Sequence, residues 1–166
     1  MKEVLGKLDA YEILTNLFPG FFFGVGLRML FGFPLSTDGV VSDVFLYYFL
    51  GLIVGRIGSI VVEPCLKLLH FIKFSPYPKF LEAEKCDAKI PVLLTSCNYY
   101  RSLLTCVLLF PIVGGLKILA HQWRWFGLHW KAILVVALIL LLFASYKKQV
   151  GFIRARVEKH ANKKKD

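Results

Sequence analysis

Ala132 to Ser145 reads AILVVALILLLFAS, fourteen uninterrupted nonpolar or small residues that run through Tyr146 straight into Lys147 and Lys148. A helix over about residues 130–146, with Trp130 and Tyr146 at its ends, has the length and the aromatic anchors of a membrane span. The composition agrees with a lipid solvent. Of 166 residues, 57% are hydrophobic, and the mean hydropathy is +0.60, more apolar surface than a soluble chain of this size can hide, because most of its volume lies near its surface.

Three more spans are expected upstream of that stretch. About residues 103–120 (LLTCVLLFPIVGGLKILA) form one, with Pro111, Gly114 and Gly115 predicting a kink and Lys117 near the outer end, where it can snorkel. About 44–62 (VFLYYFLGLIVGRIGSIVV) form another, with paired tyrosines at the outer end, the spacing Gly51-x-x-x-Gly55, and Glu63 and Pro64 closing it, since proline disfavours a helical residue before it. The first, about 17–33 (LFPGFFFGVGLRMLFGF), carries Gly20-x-x-x-Gly24 and the single charge Arg28. Small residues at such spacing let a second helix approach closely, either within the subunit or between subunits.

Charge sets the orientation. Lysines and arginines number 2 in residues 1–16, 6 in 63–101 and 8 in 146–166, against 0 in 34–43 and 2 in the Trp-rich turn 121–131. By the positive-inside rule, segments 1–16, 63–101 and 147–166 are cytoplasmic, and four spans bring both termini to that side. The expected fold is thus all-α: a single polytopic membrane domain over 1–166 in a bacterial inner membrane, with a cytoplasmic middle segment and a basic cytoplasmic C-terminal helix. Within the middle segment, Lys67–Phe74 and Lys79–Asp87 read as short interfacial helices, and from Ile90 a helix can run unbroken into the third span. The net charge of +10 points to anionic lipid headgroups as a partner of the tail, with nucleic acid as the other polyanion that such a tail attracts. No cleavable signal peptide is expected, because the first residues are mixed and charged and the apolar run after them lacks a small-residue cleavage site.

Cys65, Cys86, Cys97 and Cys106 are too irregularly spaced for a CxxC pair and are expected to be reduced in cytoplasmic or membrane segments. His70, His121, His129 and His160 are scattered over different segments, so no metal site and no cofactor is expected. Walker, HExxH, GxSxG and Rossmann patterns are absent from the sequence, which gives the common enzyme classes no support. Arg154 and His160 match the loose Arg-x(4 to 6)-His pattern of HEPN ribonucleases, although a solvated juxtamembrane helix produces the same two residues. Charges in the spans cost about 2.5 to 3.5 kcal/mol each on insertion scales. Arg28 and Arg56, together with Asn16 at the edge of the first span, are therefore the candidates for a pore or a subunit interface.

The segments YEILTNLFPG (Tyr11 to Gly20), YYFLGLIVGRIGSIVVEP (Tyr47 to Pro64), FIKFSPYPKFLEAEKCDAKI (Phe71 to Ile90), NYYRSLLT (Asn98 to Thr105) and SYKKQVGFIRARVEKH (Ser145 to His160) resemble the small membrane accessory protein of type VI-B CRISPR systems. The resemblance implies a homo-oligomeric ring, octameric, that forms an inner-membrane pore. It also implies a functional link to an RNA-guided, RNA-cleaving effector, whose antiphage action the pore would strengthen by depolarising the membrane. The divergent HEPN-like motif of that family falls on Arg154 and His160. The expectation is a non-enzymatic pore; a membrane-anchored ribonuclease or RNA-binding module and a passive scaffold for a soluble partner are the alternatives.

Overall fold

Backbone groups at membrane depth can bond only to one another, so long apolar runs must form helices there. The computed structural model describes residues 2–35, 39–87 and 89–162, and its regular elements are all helical. They are α1 (Lys2–Phe31), α2 (Val40–Ile57), a π turn (Gly58–Val62), α3 (Glu63–Leu68), α4 (Tyr77–Cys86), α5 (Lys89–Gln122) and α6 (Arg124–Asn162). Among the described residues, three helical stretches are long and apolar enough to cross a membrane: Val40–Leu68, Lys89–Gln122 and Leu128–Glu158.

The first expected span, about 17–33, is not among the three. Helix α1 begins at Lys2 and stops at Phe31, where Gly32 turns into the left-handed region with φ of +69°. The Gly32 N–H closes on the Arg28 carbonyl at 3.0 Å, and Lys117 Nζ donates to the Phe31 carbonyl at 2.9 Å. Lys117 thus caps the end of α1. From residue 17 to the helix end, the apolar part of α1 rises only about 22 Å at ~1.5 Å per residue.

Three other boundaries differ from the sequence reading. Glu63 and Pro64 do not end the second span: Glu63 has φ −61° and ψ −47°, and the helix passes through Pro64 to Leu68. A widened π turn just before the proline gives its ring room and relaxes the clash that an α-helical register would impose. In consequence Lys67–Phe74 is not a separate interfacial helix. The helix ends in a Schellman arrangement, with Phe71 N–H on the Leu66 carbonyl at 3.0 Å, His70 N–H on the Lys67 carbonyl at 3.1 Å, and His70 in the left-handed position at φ 57°. The expected turn at 121–131 shrinks to Trp123 alone, because α5 runs to Gln122 and α6 starts at Arg124. The helix expected at Lys79–Asp87 is α4, and α5 runs from Lys89 without a break through Pro111.

Helix α1 packs most extensively on α2 and next on α5. Gly20 and Gly51 make that approach possible: a Cβ on Gly20 would collide with the Tyr47 carbonyl, and one on Gly51 with the Asn16 carbonyl. The small-residue faces are therefore used inside the subunit. Beside this seam, Phe23, Leu27, Val54 and Cys106 form a small core, with Phe110 stacked on Phe23 at 5.5 Å. Helix α6 stands to one side, and its leucines, isoleucines and valines are largely uncovered. That much exposed apolar surface on long helices is what a lipid solvent covers.

Candidate functional site

The π turn creates an unpaired acceptor, and the sequence explains why. In the π register Glu63 N–H bonds to the Gly58 carbonyl, five residues back. The next carbonyl, that of Ser59, would pair with residue 64, which is proline and has no N–H. Lys148 fills the gap from α6: its Nζ donates to the Ser59 carbonyl at 2.6 Å and to Ser59 Oγ at 2.7 Å. A lysine just past the last span thus satisfies a backbone group that two features of another helix left without a donor.

The same ammonium lies 3.9 Å from the carboxylate of Glu63. Glu63 is buried and holds two closer cations, Lys67 Nζ at 2.7 Å on one oxygen and Arg101 Nη1 at 2.6 Å on the other. One carboxylate therefore ties together α3, α5 and α6. Three cations against one acid leave an excess of positive charge, and Arg101 Nε is buried with no hydrogen-bond partner.

Beside this cluster a cleft of about 310 Å³ opens between α1, α2 and α5. That space is large enough to admit water molecules. Helix α1 contributes Thr15 and Asn16; α2 and the π turn contribute Arg56 and Ser59; α5 contributes Thr95, Asn98, Arg101 and Ser102. Leu52 is the one large apolar side chain among the described lining residues, and no carboxylate is among them. A pocket of hydroxyls, amides and guanidinium groups between apolar helices holds water and favours anions.

The structure thus brings Asn16 and Arg56, two of the three sequence candidates, to one cleft, while Arg28 sits exposed in the last turn of α1 toward its other end. Arg154 lies on α6, exposed, with its Nε on Glu158 at 2.7 Å. His160 follows six residues later on the same helix, which sets the two positions about 120° apart around the axis; the side chain of His160 lies outside the described residues. Glu63, Arg101 and Lys148 were missed as a group. The signal was present, because the positive-inside topology puts residues 63, 101 and 147 at the same membrane face, where an acid and two cations on different helices have reason to pair.

The fold and the cleft define a class: a helical membrane-embedded protein with a polar, cationic pocket between its helices. Comparison with protein-family models, with curated proteins and with solved structures gives no match.

Proposed function

We propose that the protein is a non-enzymatic subunit of an oligomeric inner-membrane pore, with four spans and both termini cytoplasmic, acting beside an RNA-guided, RNA-cleaving CRISPR effector by depolarising the membrane. The observation that carries the pore reading is the polar cleft lined by Asn16, Arg56, Asn98 and Arg101 among helices whose outer surfaces are apolar. Water inside a membrane domain is held by such groups and by little else. The link to RNA-targeting defence rests on the resemblance of the five segments quoted above. The fourth span is α1, which lies against α2 and α5 along its apolar half, so that neighbouring helices shield what its short apolar length leaves uncovered.

Helix packing through Gly20 and Gly51 is already used within the subunit, which leaves the exposed apolar faces of α5 and α6 to meet lipid or further copies. Purified protein is expected to run in detergent as a large homo-oligomer and to release small dyes from liposomes. A monomer that leaves vesicles tight would remove the reading.

A further inference from the structure

We propose that the cleft between α1, α2 and α5 is a binding site for a phosphate group, presented by an anionic phospholipid headgroup of the cytoplasmic leaflet or by a phosphate from solution. Four cations, Arg56, Arg101, Lys148 and Lys67, stand in or beside it against the single carboxylate of Glu63. That carboxylate is already engaged on both oxygens. The remaining charge has no counterion among the described lining residues.

The geometry favours phosphate over a simple halide. Arg56 and Arg101 come from different helices, and a guanidinium fork matches the oxygens of a phosphate. Arg101 gives Nη1 to Glu63 and still lines the cleft, so its guanidinium is held in place beside that of Arg56. The hydroxyl of Ser59, which accepts from Lys148, and the side-chain amide of Asn98 line the same space and are donors of the kind that the remaining phosphate oxygens need, whereas Ser102 Oγ already donates to the Asn98 carbonyl. At about 310 Å³ the cleft admits a phosphate headgroup.

Gly55 keeps the space open. A Cβ there would meet nothing nearer than Ser102 Oγ at 3.5 Å, an ordinary contact, so a larger side chain at 55 can start into the cleft without its Cβ striking backbone. The site stands independently of the pore reading, since a phosphate can seat here whether or not the assembly conducts.

The test titrates full-length protein in a neutral detergent with phosphatidylglycerol, phosphatidylcholine or inorganic phosphate, and reads bound ligand by native mass spectrometry. Arg56→Gln, Gly55→Leu and a tail variant with Lys163, Lys164 and Lys165 changed to glutamine are compared with the parent. Phosphatidylglycerol is expected to bind more tightly than phosphatidylcholine, to weaken by about tenfold or more in either cleft variant, as the loss of a charge-assisted contact requires, and to be unchanged in the tail variant. Equal retention of inorganic phosphate supports the site with solution as its source. Phosphatidylglycerol binding that survives both cleft variants, that vanishes with the tail lysines, or that is absent from the parent overturns the proposal. If Arg56→Gln does not fold, Gly55→Leu decides alone.

Discussion

Glu63 concentrates more of the molecule's electrostatics than any other described side chain. Its carboxylate is 12% exposed and meets Arg101 at 2.6 Å and Lys67 at 2.7 Å, with Lys148 at 3.9 Å. Lys67 is about half exposed and can be hydrated without its partner; Arg101 and Lys148 are more enclosed. Removing the acid therefore leaves two poorly solvated cations facing each other, the situation in which breaking a buried ion pair costs about 3 to 5 kcal/mol. Glu63→Gln should unfold at a clearly lower temperature in detergent than the parent. An unchanged melting curve would show that water already screens the cluster.

At the level of elements, the second membrane helix is the informative one. Its apolar run, aromatic end and glycine spacing were legible in the sequence, and so was the proline at 64. What sequence rules could not supply was the π turn, because proline ends a helix unless another element satisfies the carbonyl it orphans, and the donor Lys148 stands 89 residues from Ser59. For the same reason the expected interfacial helix at Lys67–Phe74 does not form: Lys67 and Leu68 end the longer helix, and the chain leaves helical geometry after them. Pro64 and Lys148 are therefore expected to be energetically coupled. Lys148→Met alone should destabilise by about 1 to 3 kcal/mol, the cost of a buried acceptor left bare. In a Pro64→Ala background, where residue 64 regains an N–H for the Ser59 carbonyl, the same change should cost about 1 kcal/mol less. A double-mutant cycle from chemical unfolding measures this, and strict additivity would mean that Lys148 acts only through Glu63.

For the whole molecule, lipid as the solvent and helix as the fold followed from composition and from the run Ala132 to Ser145, because nothing else covers that surface. The cleft was half legible: Asn16 and Arg56 stood out as polar groups in apolar stretches, but Asn98 and Arg101 read as part of the cytoplasmic segment 63–101, and the unbroken helix expected from Ile90 did not show which of its faces meets α1 and α2. Arg28 carried the same sequence signal as Arg56 and lies elsewhere, since composition reports the presence of a charge and not the face that its helix turns inward. In the proposed pore, the polar cleft around Arg56 belongs to the conducting path. Ionic conductance across a planar bilayer, measured for the parent and for Arg56→Leu at matched protein incorporation, tests it most directly. The parent is expected to conduct, and leucine, by drying the path, to lower the current roughly tenfold while membrane insertion is preserved. Equal currents from the two proteins, or none from the parent, would contradict it.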